Sequence, residues 1–404
     1  MYLWCMKSII HIDCNSFFAS CEIATHEGCE DKPVIVANVN ETGGGIILAL
    51  NKRAKKVGLH RGNPMFQVKT IIEKHNVVVF PVDHEKYHRI SQQIMQTVIE
   101  QDLVIDFVQY SVDEFFGALP LEDPKELRFY IQKVKDAIEQ NTKIPVSCGC
   151  SQTYTLAKVA TYFAKRYEGY KGICVLTQEK RKNALSRIPI SEVWGIGRAH
   201  QKKLAFYGEL SAFDFMNFAE NFVAKMLGTS GLNTWKELNG IPAVKMERNG
   251  QQKSIMQSRT FAYMETEKKE LQRYIESFVS VCCEKLREQK SVCSNIIVFI
   301  NTNRHRDDLP QYSNDVCVRL EKPTADTLLI TKFAYQGLDA IFKQGYQYKR
   351  AGVVLTNITD STSVQLDLFT YTNDEKKRNL MKNIDAINSK YGKNMIHLAV
   401  HQKK

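Results

Sequence analysis

The prediction of the fold starts from Ser8-Ile9-Ile10-His11-Ile12-Asp13, a short β-branched run that ends in a carboxylate. A second run of the same kind, residues 104–110, precedes the adjacent acids Asp113-Glu114. Such runs are typical of β-strands. We therefore expect two neighbouring strands that carry Asp13, Asp113 and Glu114 to one edge of a sheet.

Three carboxylates this close repel each other unless divalent cations neutralise them. Two magnesium-type ions about 3.5–4 Å apart would do so, and would also hold the attacking and leaving oxygens of a phosphoryl transfer. For Asp13 alone, a turn residue after a strand is the favoured interpretation. The pair Asp113-Glu114 favours the metal hypothesis, because residues 104–110 and 115–119 are typical of a β-hairpin with both acids near its tip.

Composition narrows the class of protein. The chain has 404 residues, of which 44% are hydrophobic, enough for roughly two to three domains with real cores. Its net charge of +11 favours a polyanionic partner such as nucleic acid. No apolar stretch reaches the roughly 18–20 residues of a membrane span, and no signal-peptide pattern is present. The eleven cysteines lack the spacing of zinc ligands. We expect a cytoplasmic protein with reduced thiols and no membrane partner.

The order of predicted elements indicates an α+β core. Strand 8–13 and helix 16–24 come first, and then a compact inserted segment with the apolar run at 32–37, a glycine turn at 43–45 and helix 48–57. The core resumes with strand 77–82, helix 84–101, the hairpin, helix 123–140, strand 144–150 and helix 153–167.

The second half of the chain has a different pattern. Gly195-Ile196-Gly197 precedes a basic helix and could present backbone N–H groups to a phosphate, although a plain helix cap is an alternative. After a polar linker at 245–253, strands at 258–263, 293–301, 315–320 and 348–356 alternate with helices at 268–289 and 325–342 in the β-α-β-β-α-β order of a ferredoxin-like module. Residues 357–404 are predicted to be a tether with a short apolar plug and a helix at 374–390.

Several of these motifs together resemble one family. The segment Asp13-Cys14-Asn15-Ser16-Phe17-Phe18-Ala19-Ser20-Cys21-Glu22 resembles the first motif of the Y-family DNA polymerases, and Tyr110-Ser111-Val112-Asp113-Glu114 resembles their catalytic hairpin. Residues 51–58, 151–158 and 193–197 are similar to further family motifs. The Trp194-Gly195-Ile196-Gly197 segment and the tail 365–369 are most similar to the UmuC-like branch rather than the DinB branch.

The resemblance implies a multidomain α+β fold, a right-hand polymerase. Its parts are a catalytic palm (1–23 and 78–168), fingers (24–77), a helical thumb with a helix-hairpin-helix-like element (169–241), a ferredoxin-like little finger (245–357) and a tail (358–404). It also implies error-prone translesion synthesis on primer-template DNA from dNTPs, as part of an SOS response at the nucleoid. The sequence contains no second, exonuclease-like carboxylate cluster, which fits low fidelity.

The resemblance assigns roles to individual residues of the site. It implies that Asp13, Asp113 and Glu114 hold two Mg²⁺ ions, with the carbonyl of Cys14 as a further ligand. It places Phe18 as the steric gate that excludes a ribose 2′-hydroxyl, while the alternative is that Phe17 and Phe18 are both core aromatics.

Three lysines are the expected triphosphate ligands, Lys52, Lys55 and Lys165. The alternatives are a solvated basic helix for Lys52 and Lys55 and a helix C-terminal cation for Lys165. Many relatives have tyrosine or alanine at the first of these positions and arginine at the second. In the thumb, Gly195 and Gly197 are the expected DNA-phosphate contacts.

The tail residues Gln365, Leu366, Leu368 and Phe369 resemble the peptide by which bacterial polymerases bind the sliding clamp; a terminal edge strand would alternate in the same way. A UmuD-like subunit is a possible further partner.

Two other functions fit parts of the pattern. The first is a DNA-binding and clamp-binding adaptor without strong catalysis, but such a protein would be expected to lose metal carboxylates. The second is a two-metal cyclase or nuclease, but that function would not explain the thumb, the little finger and the tail.

Overall fold

The computed structural model describes residues 8–39, 44–102, 104–246, 251–363, 371–392 and 395–396. The chain forms two compact units, residues 1–248 and 249–404. The boundary between them falls inside the predicted linker at 245–253. Among the described ranges, no helix is both long enough and apolar enough to cross a membrane.

The predicted order of helices and strands is confirmed for most of the chain. The first unit contains β1 (Ser8–Cys14), α1 (Phe17–Thr25), β2 (Val34–Val39), β3 (Gly45–Leu50), α2 (Lys52–Lys56), α3 (Met65–Lys74), β4 (Val78–Pro81), α4 (His84–Glu100), β5 (Ile105–Gln109), β6 (Glu114–Leu119), α5 (Pro124–Thr142), β7 (Val146–Ser151), α6 (Tyr154–Arg166), β8 (Ile173–Val175), α7 (Gln178–Leu185), α8 (Arg198–Leu204), α9 (Ala212–Met216) and α10 (Glu220–Leu238). The second unit contains β9 (Ile255–Glu265), α11 (Lys268–Glu288), β10 (Ser291–Thr302), β11 (Ser313–Thr324), α12 (Thr327–Ile341), β12 (Tyr348–Asp360) and α13 (Tyr371–Tyr391).

A five-stranded sheet in the order β5-β6-β1-β7-β8 is the centre of the first unit. The middle strand β1 pairs antiparallel with β6 on one side and with β7 on the other, and its residues Ile10 and Ile12 are fully buried together with apolar residues of α4 and α5. Helix α6 packs closely on β7, since a Cβ at Gly149 would lie 2.2 Å from the backbone nitrogen of Thr161. The short strand β8, parallel to β7, was not predicted, because three residues carry no readable periodicity.

A separate three-stranded sheet, β3-β2-β4, corrects two predictions. The predicted helix 48–57 is wrong at its start, because residues 48–50 complete β3, which pairs antiparallel with β2. Helix α2 begins only after Asn51, whose side chain accepts a hydrogen bond from the Ala54 nitrogen at 2.9 Å and so caps the helix. Strand β4 pairs parallel with β2, and it therefore belongs to this small sheet rather than to the sheet that carries the acids.

The second unit has the predicted β-α-β-β-α-β order and one four-stranded antiparallel sheet, β11-β10-β12-β9. Strand β12 lies between β9 and β10, and β10 lies between β11 and β12, so each β-α-β unit is split by one strand. Apolar residues of α11 and α12 form the core with the sheet. Strand β12 continues to Asp360 opposite Ser291, which corrects the prediction that the tether opens near residue 357.

The predicted tail helix is present as α13. Its residue Met381 is buried, and Arg287 of α11 donates to both carboxylate oxygens of Asp385 at 2.6 and 2.7 Å. Two parallel hydrogen bonds of this kind give a pair a fixed geometry, and they tie α13 to α11. The predicted clamp-binding residues 365–369 lie outside the described residues.

Candidate active site

The predicted carboxylates come together at one edge of the five-stranded sheet. Asp13, near the end of β1, is the direct register partner of Glu114, the first residue of β6. Asp113 precedes it in the hairpin turn, and its carbonyl accepts a hydrogen bond from the Cys14 nitrogen at 2.9 Å. Asp13, Asp113 and Glu114 are all partly accessible. The antiparallel register thus fixes two of the acids opposite each other and places the third beside them.

Two lysines of α6 pair with these carboxylates. Lys165 contacts the carboxylate of Asp13, and Lys158 donates to both oxygens of Glu114 at 2.9 and 3.0 Å. The two lysines are seven residues apart, so they lie on one face of the helix two turns apart. Sequence reasoning assigned a role to Lys165 but missed Lys158, although the seven-residue spacing was a readable signal.

Aromatic rings surround the Lys158 ammonium. Its nitrogen lies 4.7 Å from the ring centre of Tyr110, 5.2 Å from Trp194 and 5.8 Å from Phe116. The Trp194 indole N–H donates to the Tyr110 hydroxyl at 3.1 Å. Cation–π attraction at these distances favours the charged lysine. The Trp-Gly-Ile-Gly segment is therefore linked to the β5–β6 hairpin and, through Lys158, to Glu114.

The two register partners have opposite electrostatic environments. Burial raises the pKa of Asp13 to about 6 against the opposing effect of Lys165, and the neighbouring Glu114 and Asp113 charges raise it further. Burial would also raise the pKa of Glu114, but the adjacent His11 and Lys158 outweigh it and lower the value to about 2. One edge of the sheet therefore holds an ionised glutamate beside an aspartate on which negative charge is costly.

His11 is a buried neighbour that the sequence did not single out. Its Nδ1 lies 2.8 Å from the Thr161 hydroxyl, and its Nε2, which has no hydrogen-bond partner among the described residues, lies 3.6 Å from Glu114 Oε1. Burial lowers the pKa of His11 to about 4. The imidazole is thus neutral near pH 7, and its contact with Glu114 is not an ion pair there.

The donor set fits a hard divalent cation. Carboxylate and backbone carbonyl oxygens are the ligands that magnesium prefers, and burial together with the neighbouring carboxylates raises the pKa of Asp13, so a cation there would stabilise its ionised form. Within the described residues, no three acidic, histidine or cysteine side chains are grouped as metal ligands. Asp13 and Glu114 each pair with a lysine.

Other predicted site residues occupy the surrounding elements. Lys52 and Lys55 are exposed on α2, in the part of the unit built on the three-stranded sheet, and Arg53 between them pairs with Asp31. Neighbouring side chains on α1 diverge as helix geometry predicts: Phe17 is 3% exposed, whereas Phe18 is partly accessible.

The two predicted thumb glycines differ in what their surroundings require. Gly195 has φ +91°, and a Cβ there would lie 2.1 Å from the Thr234 hydroxyl, so only glycine fits without a shift. Gly197 precedes α8, and a Cβ there would meet nothing within 4 Å. The packing therefore explains why residue 195 is a glycine, whereas the space beside Gly197 remains open to a ligand.

Comparisons with known proteins identify the family of this chain. The profile of the impB/mucB/samB family matches residues 12–162, and that of the family's C-terminal domain matches residues 252–368. Protein UmuC of Salmonella typhimurium is 31% identical over 96% of this chain and 92% of its own length, and protein MucB of Escherichia coli is 31% identical over 96% and 91%. DNA polymerase IV of Bacillus cereus is 27% identical over 96% and 91%.

Solved structures give the same assignment for the fold. A Y-family DNA polymerase chimera of Dbh and Dpo4 superposes with a TM-score of 0.71 at 20% identity, covering 87% of this chain and 99% of the other. DinB from Sulfolobus solfataricus superposes with a TM-score of 0.54 at the same identity and coverage. The chain belongs to the impB/mucB/samB family, with the fold of the Y-family DNA polymerases that its motifs predicted.

Proposed function

We propose that this protein is an error-prone translesion DNA polymerase that extends a primer 3′-hydroxyl with dNTPs on damaged templates. The observation that carries the proposal is the register pairing of Asp13 with Glu114, with Asp113 in the adjoining turn. Its relatives are named UmuC, MucB and DNA polymerase IV. An insertion ternary complex of Dbh DNA polymerase shares the fold, with a TM-score of 0.56.

Asp13, Asp113, Glu114 and the carbonyl of Cys14 would hold two Mg²⁺ ions. When bound, such ions lower the pKa of the primer hydroxyl and stabilise the leaving pyrophosphate. The chain's own contribution is positioning. The strand register holds Asp13 opposite Glu114, and the Cys14 N–H donated to the Asp113 carbonyl fixes the hairpin turn against β1.

Lysines around the carboxylates would bind the triphosphate. Lys165 is 34% exposed and carries its charge at the same sheet edge as the acids, and Lys52 and Lys55 present two further exposed charges three residues apart on α2. An ammonium group binds a phosphate oxygen as a point charge. We assign these three lysines to nucleotide binding and Lys158 to holding Glu114.

Phe18 would select the sugar of the incoming nucleotide. It lies five residues after Asp13 on the helix that directly follows β1, and the intervening Ser16 adopts a left-handed conformation, φ 49°, so the chain turns sharply there. The partial exposure of Phe18, in contrast to buried Phe17, supports a ring that faces the nucleotide and would collide with a 2′-hydroxyl.

DNA would bind through backbone amides and basic residues. The open space beside Gly197 allows a phosphate to approach the backbone before α8, and the more constrained Gly195 would shape that turn. We retain the assignment of palm, fingers, thumb and little finger to residues 1–23 and 78–168, 24–77, 169–241 and 245–357. One amendment is that β4 belongs to the sheet of the fingers segment.

The tail would connect the enzyme to its partners. Gln365, Leu366, Leu368 and Phe369 supply a hydrogen-bonding group and three apolar side chains for a groove on a sliding clamp. A UmuD-like subunit is the second partner we propose, by analogy with the UmuC relatives. The proposed location is the cytoplasm, at the nucleoid.

An adaptor without catalysis has less support, because all three acids are present and gathered. The decisive experiment is primer extension opposite an abasic site, compared with an undamaged template and performed with and without a loaded sliding clamp. The proposal expects magnesium-dependent insertion opposite the lesion that the clamp stimulates. DNA binding and clamp binding without any extension would support the adaptor instead.

A further inference from the structure

Glu22 is a buried carboxylate that closes the first sequence motif and has no role in the site described above. It is 1% exposed, and burial of a charge is costly unless partners satisfy it. Its Oε1 accepts a hydrogen bond from the Tyr87 hydroxyl at 2.7 Å, and its Oε2 accepts one from the Lys86 ammonium at 2.7 Å. The carboxylate of α1 is thus joined to two consecutive residues of α4.

The ring of Tyr87 makes a second contact with α1. It stacks on Phe18 with ring centres 4.3 Å apart and planes inclined by 15°. Phe18 and Glu22 are four residues apart, so they lie on the same face of the helix. Tyr87 therefore touches α1 at two points one turn apart, with its ring against Phe18 and its hydroxyl on Glu22.

The stack restricts how the Phe18 ring can move. Tyr87 has no exposed surface and covers one face of the Phe18 ring, while the His84 ring meets it edge-on at 6.0 Å and 81°. A ring that rejects a 2′-hydroxyl by collision works only if it cannot recoil, and displacements of about 1 Å are enough to change the outcome at a reacting centre. The hydrogen bond to Glu22 fixes the tyrosine that blocks this recoil.

We propose that Tyr87 is a positioning residue for sugar selection, holding the Phe18 ring in place through the stack while Glu22, itself paired with Lys86, anchors its hydroxyl. This rests on the proposed role of Phe18 as the steric gate and extends it to a residue of α4. Selection of deoxyribose over ribose by this chain then depends on contacts between α1 and α4 and not on Phe18 alone.

The test measures the ratio of catalytic efficiencies for matched deoxy- and ribonucleotides in single-nucleotide primer extension. Tyr87→Leu removes the stacked ring and should lower this ratio by about tenfold or more, which is the scale of discrimination by apolar shape. Tyr87→Phe keeps the stack but loses the hydrogen bond to Glu22, so its ratio should lie between those of wild type and Tyr87→Leu. If Tyr87→Leu does not fold, Tyr87→Met fills more of the space and carries the same test.

A matched control separates this role from general loss of packing. Tyr348 is also a fully buried tyrosine, and its hydroxyl is hydrogen-bonded to the backbone of Lys343, but it lies in the second unit. Tyr348→Leu should lower the melting temperature without changing the sugar ratio. A change in the ratio as large as that of Tyr87→Leu would overturn the proposal.

A double-mutant cycle with Phe18→Ala completes the test. Tyr87→Leu should have no further effect on the ratio in the Phe18→Ala background, because no ring remains to be positioned. An equal loss in both backgrounds would show that Tyr87 acts independently, and would overturn the proposal. If Phe18→Ala lowers the ratio and Tyr87→Leu does not, the gate stands and the role of Tyr87 fails; if Phe18→Ala leaves the ratio unchanged, the gate itself fails.

Discussion

Replacement of Lys158 by methionine tests how the active site holds Glu114. The lysine donates to both carboxylate oxygens, and the two side chains are only 15% and 23% exposed. Methionine keeps an unbranched side chain that can still pack against Tyr110 and Trp194. The substitution therefore removes mainly the positive charge.

The expected cost follows from the pKa of Glu114, which is lowered from 4.5 to about 2. At about 1.4 kcal/mol per pH unit this corresponds to about 3 kcal/mol, the net of the favourable effect of its partners, His11 and Lys158, and the opposing effect of burial. Since Lys158 is the charged partner, its loss should lower the free energy of unfolding by about 1–3 kcal/mol. A carboxylate with a lowered pKa stabilises the folded state fully above its unfolded value, so the loss should be complete at pH 7 and shrink as the pH falls below 4.5 towards 2.

The assay is urea unfolding of the metal-free protein at pH 7 in a chelator, followed by tryptophan fluorescence. The control is Lys69→Met, which removes an exposed pair with Glu73 whose side chains are 78% and 67% exposed and should change the free energy of unfolding by less than about 0.5 kcal/mol. If Lys158→Met unfolds at the same urea concentration as wild type and the control, Glu114 is not held by this lysine.

Two further predictions concern the thumb and the tail. Gly195→Ala should destabilise the first unit in thermal unfolding, because its positive φ and the close approach of α10 exclude a Cβ, whereas Gly197→Ala should fold normally and bind primer-template DNA more weakly in an anisotropy titration. Normal stability of Gly195→Ala would contradict this packing argument. Combined replacement of Gln365, Leu368 and Phe369 by alanine should leave clamp-free synthesis intact and abolish stimulation by the clamp, since apolar anchors dominate such interfaces; unchanged clamp affinity would exclude the tail as the binding peptide.

The sequence predicted those features that depend on local patterns. The β-branched run before Asp13 and the hairpin at 104–119 were predicted, and the motif order predicted the family. The expected neighbour of the first strand was wrong, because β6 lies between β1 and the strand that contains residues 105–109. Helix periodicity also predicted that Phe17 and Phe18 diverge. Antiparallel strand pairing follows from such patterns because a buried face fixes the register, and so the acid pair could be foreseen.

Features that depend on tertiary packing were not predicted. Lys158 reaches Glu114 only because α6 packs across β7 and β1, and Tyr87 reaches Phe18 only because α4 packs against α1. The error at residues 48–50 has a related cause, since apolar residues before a basic helix fit either a strand or the helix itself. Pairing with β2 decides the outcome, and a single sequence does not show which strand will be the partner.

The most direct test of the central claim is primer extension by Asp113→Ala and by Glu114→Ala beside a titration of DNA affinity. DNA affinity comes mainly from basic residues on phosphates, so both variants should bind primer-template DNA about as tightly as wild type. Extension should be abolished in each, because each loses an oxygen ligand of the proposed metal site. Extension at more than a few per cent of the wild-type rate by either variant would contradict the assignment of these carboxylates as the catalytic centre.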